Sequence, residues 1–382
     1  MKMFRRILAA ALLAGATLLP AAASAQPPIP PIPGCEGGRL PSGAFSLICV
    51  PPPNIWNGEL VVFAHGYVPF NPLLPVEQQL MFANLQLPDG TPLPQLVMGL
   101  GYAFATTTYR QNGLAILEGV DDIRELVAAF PSPVPTHVAG VSEGGLVATL
   151  LAERWPELFR SAVAACAPIG SFRAQLDTVG DFRVLFDYFF PGVIPLGSAI
   201  SSPLELIMAW PLLAGKTIPD ALAARPAAAL ELMRVSRAAY DPADAATTIE
   251  RTTVSLLTYN VLGANDAAQK LGGNPFGNRL RWYFGSSNDL RLNLLVKRFT
   301  ASPVARAALN QYETNGNLSI PLVTLHTTGD ELIPFWHELL YLPKVDLSGR
   351  GWFFPIPAVR YGHCNFTANE VLTAFGLAVR QP

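Results

Sequence analysis

The chain has 382 residues, half of them hydrophobic and only 14% charged, and carries a formal net charge of −2. This length and composition fit a compact globular enzyme with a large core and exclude disorder. With no basic field and no run of Lys or Arg beyond the first residues, nucleic acid is excluded as a partner.

At the N-terminus, Lys2, Arg5 and Arg6 precede an apolar stretch from Ile7 to Leu19 and the small-x-small site Ala23-Ser24-Ala25. That is the pattern of an export signal cleaved near Ala25. The apolar run is too short for a bilayer span and no lipobox cysteine follows. Residues 1–25 are therefore expected to be a signal peptide, leaving a secreted or periplasmic protein with no stable membrane anchor.

Residues 26–58 read as a proline-rich lead-in followed by a hairpin. Four cysteines, Cys35, Cys49, Cys166 and Cys364, all follow the signal, and export makes an even number a disulfide set. Three pairings are possible, and four free thiols are the alternative. Cys35 and Cys49 flank a turn-rich segment, which favours Cys35–Cys49 as a hairpin staple and leaves Cys166–Cys364. No CxxC is present, so neither zinc nor an iron–sulfur cluster is expected.

From residue 59 the pattern sharpens. Leu60 to Ala64 is a continuous apolar run of strand length ending in His65-Gly66, as a strand buried on both faces would read. Tyr102–Tyr109 is a second expected strand. Gly119–Phe130 has the apolar spacing of one helical face, and Thr136–Val141 is a third strand. Glu143–Trp155 has helix-forming composition until Pro156 stops it. Ser161–Ala165, Pro321–His326 and Pro355–Arg360 are further strands. Alternating strands and helices imply a mostly parallel sheet covered on both faces. Core segments 59–169 and 321–382 are thus expected to flank a helical insertion, 170–320. This insertion opens on an apolar region, Phe182–Leu213, which prolines 191, 195, 203 and 211 break into pieces.

The chemistry centres on Ser142, in Gly140-Val141-Ser142-Glu143-Gly144 between a strand and a helix. A serine hydroxyl is a poor nucleophile at neutral pH and needs a base, itself oriented by a carboxylate. Of the histidines, His65 and His137 lie at or within strands, His326 is a reserve near a strand end, and His363 is best placed. It sits in a loop before Thr367-Ala368-Asn369-Glu370, which reads as a capping box opening the last helix. Asp330, just past a strand end, is the expected acid; Glu331, Asp177 and Asp181 are alternatives. The oxyanion donors are expected to be the backbone N–H groups of Glu143, which opens a helix, and Tyr67, which follows His65-Gly66.

In order and spacing, the segments Leu60–Tyr67, Gly140–Gly144, Thr328-Gly329-Asp330 and Gly362-His363-Cys364 resemble α/β hydrolases of the esterase, lipase and prolyl-oligopeptidase-like group. The resemblance covers nearly the whole chain after the signal. It implies an eight-stranded core with helices on both faces, a cap inserted before the acid, and hydrolysis of a carboxylic ester through an acyl-enzyme. A cysteine directly after the histidine is also similar to tannases and fungal feruloyl esterases, although Val141 stands where they carry the partner cysteine. Cys166 could reach the His363 loop instead and brace it.

A secreted carboxylesterase or lipase-like enzyme needing no metal or organic cofactor is the leading expectation. An exported peptidase or amidase, or a silent binding protein, is the alternative. The substrate is expected to be a small or polymeric ester, with a lipid interface compatible with the apolar insertion.

Overall fold

A computed structural model describes residues 32–87, 89–349 and 351–380; the expected signal and its cleavage site lie outside the described residues. Eight strands form one sheet: β1 (Cys35–Arg39), β2 (Phe45–Cys49), β3 (Leu60–Ala64), β4 (Ala103–Thr107), β5 (Thr136–Val141), β6 (Ser161–Ala165), β7 (Leu322–Gly329) and β8 (Phe353–Tyr361). Their order is β1-β2-β4-β3-β5-β6-β7-β8. All pairs from β4 to β8 are parallel, while β1–β2 and β2–β4 are antiparallel. The hairpin grouped with the lead-in is thus an edge of the core sheet, and Cys35 and Cys49 face each other across it in a disulfide.

The central strands are apolar throughout because both faces are covered. Helices Ile116–Ala129 and Glu143–Arg154 pack on one face over Leu60, Val62, Val138 and Ala162. Ala368–Val379 and Leu93–Gly99 cover the other, against Val323, Leu325, Val61 and Phe104. The last helix begins with the expected box: Thr367 accepts the Glu370 N–H, and the Glu370 side chain takes the Thr367 N–H.

Several boundaries differ from expectation: β7 runs on to Gly329 beyond the expected end at His326, and the helix expected from Gly119 begins at Ile116. β4 stops at Thr107, short of Tyr109, because Tyr109 turns into the left-handed region at φ 55°. β8 is longer, at nine residues, and contains Pro355 and Pro357. Both prolines are tolerated because β8 is an edge strand pairing only with β7, and alternate residues direct their missing N–H to the open side.

Between β6 and β7 the described residues form helices and turns. The longest are Phe172–Phe189 and Ala245–Lys270, which enclose a separate apolar cluster including Phe182, Phe186, Leu232 and Leu257. Pro211 does not end its helix as expected. It lies inside Leu204–Leu212, and a wider π-turn, Leu213–Thr217, absorbs the disrupted hydrogen bonding. No helix among the described residues is long and apolar enough to cross a membrane.

Candidate active site

Ser142 stands between β5 and the helix Glu143–Arg154 at φ 57°, ψ −123°, a conformation a side chain adopts only at a strained elbow. The flanking glycines explain how the chain turns so tightly. A Cβ on Gly140 would lie 2.0 Å from the Gly144 carbonyl oxygen, and one on Gly144 would lie 2.1 Å from that of Ala64. Neither position has room for a side chain. The Ser142 N–H donates to the Ala165 carbonyl at 2.8 Å, which fastens the elbow to the end of β6.

His363 and Asp330 follow the ends of β8 and β7 and converge on this elbow. His363 Nε2 is 3.0 Å from Ser142 Oγ, and Nδ1 is 2.8 Å from Asp330 Oδ2. Asp330 is fully buried and also accepts the N–H groups of Leu332 and Ile333 at 2.9 and 2.8 Å, so its carboxylate is aimed by backbone. Burial alone would raise its pKa. The adjoining imidazoles of His363 and His326 outweigh this and hold the carboxyl well below the usual range. Its alternatives are engaged elsewhere: Glu331 pairs with Arg251 at 3.3 Å, Asp177 with Arg281 and Arg306, and Asp181 with Arg281 and Tyr283.

The remaining histidines have other partners. His137 is held between Ser161 Oγ and Glu59, and His65 stacks on Tyr109 with ring centroids 4.0 Å apart. His326, the reserve base, is buried beneath Asp330. Its Nδ1 is 3.0 Å from Glu338 Oε1 and its Nε2 is 2.8 Å from the Ile333 carbonyl. Both ring nitrogens face acceptors, so both carry protons. Burial opposes that charge, but Asp330 and Glu338 push the pKa up to about 10. A group already charged and enclosed in this way cannot act as a base.

Tyr67 and Glu143 line the same cavity as Ser142, and no acceptor for either backbone N–H is found among the described residues. The Tyr67 turn is held by Asn84, whose Oδ1 accepts the Gly66 N–H at 2.9 Å. Nothing in the sequence around Asn84 marked it. Glu143 was marked for its backbone, but its side chain is equally constrained: it is buried and accepts the Ala115 N–H at 2.9 Å. Burial, with Asp266 and Glu118 nearby, pushes its pKa up to about 8 against the pull of Lys270 and that hydrogen bond.

Cys166 and Cys364 form a disulfide that ties the end of β6 to the residue after His363, both cysteines having positive φ. Cys166, His363 and Cys364 are the one grouping among the described residues with metal-ligand proximity. Joined sulfurs offer no thiolate, so the group does not suit a metal.

A cavity of about 120 Å³ opens over Ser142, Tyr67 and Glu143. Its walls are Leu176 and Val179 of helix Phe172–Phe189, Tyr259 of helix Ala245–Lys270, and Phe276, Leu332 and Ile333. Phe276 lies flat against Gly180, where a Cβ would meet its ring at 2.3 Å. The polar groups Gln175 and Asn260 are satisfied within the protein, by Leu332 and His337 and by Arg183 and Ala199, so the surface offered to a ligand is largely apolar.

The strand order, the strained serine after β5, and the acid and histidine after β7 and β8 together fix the architecture. The fold is that of an α/β hydrolase. No family model matches the chain, and no curated protein matches it. Among solved structures, it resembles the acylaminoacyl peptidase of Pyrococcus horikoshii at 12% identity and a TM-score of 0.40, over 86% of this chain and 37% of that one. The chain thus spans well under half the length of that peptidase. A proline iminopeptidase of Mycobacterium smegmatis is 13% identical with a TM-score of 0.42, covering 90% of this chain and 96% of its own. A rice cell wall degrading esterase of Xanthomonas oryzae is 12% identical with a TM-score of 0.41, covering 90% and 87%. Likeness this distant says nothing about the reaction.

Proposed function

We propose that the protein is a serine hydrolase acting on carboxylic esters with an apolar acyl group, exported to an oxidising compartment. The observation that carries this reading is the chain of contacts from Ser142 Oγ through His363 to Asp330, at 3.0 and 2.8 Å, at the floor of an apolar cavity. His363 Nε2 takes the hydroxyl proton as Ser142 Oγ attacks the acyl carbon, and Asp330 steadies the imidazolium that forms. The N–H groups of Glu143 and Tyr67 receive the oxyanion. Collapse of the tetrahedral intermediate expels the alcohol, which takes the proton from His363. Water then attacks the acyl-Ser142 ester by the same steps in reverse roles. The two disulfides support an extracellular or periplasmic site, where such bonds persist.

Labelling with a fluorophosphonate tests the nucleophile, and paired p-nitrophenyl esters and anilides of equal acyl length test the bond cleaved. Expected are a single adduct at Ser142, absent from Ser142→Ala, and turnover of the ester well above the anilide. An unlabelled folded protein would remove the hydrolase reading; faster anilide cleavage would replace esterase with amidase.

A further inference from the structure

In most exposed extended segments polar side chains face water and apolar ones face the core. Residues 280–284 do the reverse. Arg281 and Tyr283 turn inward: Arg281 pairs with Asp177 at 3.0 Å and with Asp181, and the Tyr283 hydroxyl donates to Asp181 at 2.6 Å. The alternate residues Leu280, Trp282 and Phe284 are left 97%, 58% and 54% exposed. In the following helix Asp289–Leu295, Leu292 packs inward and the Asn293 amide is held by Asp289, yet Leu290, Leu294 and Leu295 remain exposed. Since the inward contacts fix the register, these side chains cannot rotate into the core.

Charge on this strip identifies what it fits. Residues 279–298 hold five cations and one acid, in a chain whose net charge is −2. The acid, Asp289, is occupied by the N–H groups of Gly285 and Ser286 at 3.1 and 2.7 Å. Arg281 and Arg298 are spent inward, leaving Arg279 and Arg291 exposed and, among the described residues, without a carboxylate partner, while Lys297 is exposed in the field of the Asp187 carboxylate. Apolar tips ringed by cations are the composition of a segment that lies in a membrane interface, burying its tips while its cations meet anionic headgroups. A second copy of the chain fits poorly, because a two-fold contact would set these cations against their own copies. The strip is also continuous with the cavity wall, as Pro275 and Phe276 line the cavity only a few residues earlier.

We propose that the face formed by residues 279–298 docks the protein on an anionic lipid surface. Docking of this kind does not depend on turnover at Ser142. Exported Ser142→Ala protein, freed of the expected signal at residues 1–25, is sedimented with vesicles of phosphatidylcholine alone and of phosphatidylcholine with about one third phosphatidylglycerol. The anionic vesicles should bind it and the neutral ones should bind it about tenfold less, with the difference shrinking as salt rises. Two variants, Trp282→Ser with Leu294→Ser, and Arg279→Glu with Arg291→Glu and Lys297→Glu, should each weaken binding about tenfold with an unchanged circular dichroism spectrum. All five positions are exposed, so the fold should tolerate them. Equal sedimentation with both vesicle types, unaltered binding by the variants, or a dimer that Trp282→Ser disperses would overturn the proposal. Inactivity of the wild type on soluble esters would sink the hydrolase reading and leave the vesicle result standing.

Discussion

The loops at the ends of β5, β7 and β8 and the insertion above them are stabilised by opposite means. Around Ser142 the chain is fixed by backbone: a glycine pair with no room for a Cβ, N–H groups aimed at Asp330, and a disulfide beside His363. In the insertion, helices pack on an apolar cluster and charge clusters on their surfaces tie segments to each other. Asp177 and Asp181 hold Arg281, Tyr283 and Arg306 across more than 100 residues of sequence. Backbone constraint places reacting atoms to within fractions of an ångström, as acyl transfer requires. Side-chain ion clusters hold a wall in place while letting its composition vary. On the proposed reading, chemistry and selectivity then belong to parts of the chain that can change independently.

The sharpest way to break this division is to show that one region governs the other's property. Ser142→Ala should lower kcat by about a millionfold, because triad members act as a unit, while thermal unfolding stays where it was. A large shift in unfolding temperature would mean that the strained elbow carries stability as well as chemistry. The converse change is Arg281→Met, which removes one partner from two mostly buried carboxylates. Arg281 is itself one third exposed, so solvent limits the loss to roughly 2 kcal/mol, read by denaturant unfolding. Turnover of a short soluble ester should change less than twofold. A fall in kcat as deep as that in stability would show the insertion to be part of the catalytic machinery.

Sequence reading succeeded where local physics decides the outcome. β3, β5 and β6 have the expected limits because short, largely apolar runs bounded by turn residues suit strands covered on both faces. That Ser142, Asp330 and His363 come together was legible because each lies just beyond a strand, and a parallel sheet gathers those ends on one edge. Asn84, His326 and the ion clusters were not. Asn84 is an isolated polar residue in a loop, and its meaning is the Gly66 N–H it accepts 18 positions away. His326 looks in sequence like a second base; only the enclosure by Glu338 and Ile333 shows that it is a fixed cation. In the insertion, periodicity shows that helices form but not which faces meet, so the outward turn of Trp282 and Leu294 had no local signal.

A further prediction tests the border between the two regions, at Glu143. Its carboxyl is buried beside the nucleophile, and its pKa is raised from 4.5 to about 8. The sign follows from proton linkage. Below pH 4.5 the group is neutral whether the chain is folded or not, and it contributes nothing to the pH dependence. Between 4.5 and 8 the unfolded chain releases its proton while the folded one keeps it, so stability falls as pH rises. Above 8 the folded carboxyl ionises too and the loss levels off. Glu143→Gln keeps an oxygen for the Ala115 N–H and removes the titration. It should therefore match the wild type near pH 4 and be the more stable by a margin that grows towards pH 8. Activity should follow for a separate reason: a carboxylate formed one residue from Ser142 opposes the oxyanion, so the wild type should lose kcat as pH rises through about 8 and the Gln variant should not. Stability and kcat curves that run parallel in the two proteins would show that the Glu143 proton is not shared between fold and site.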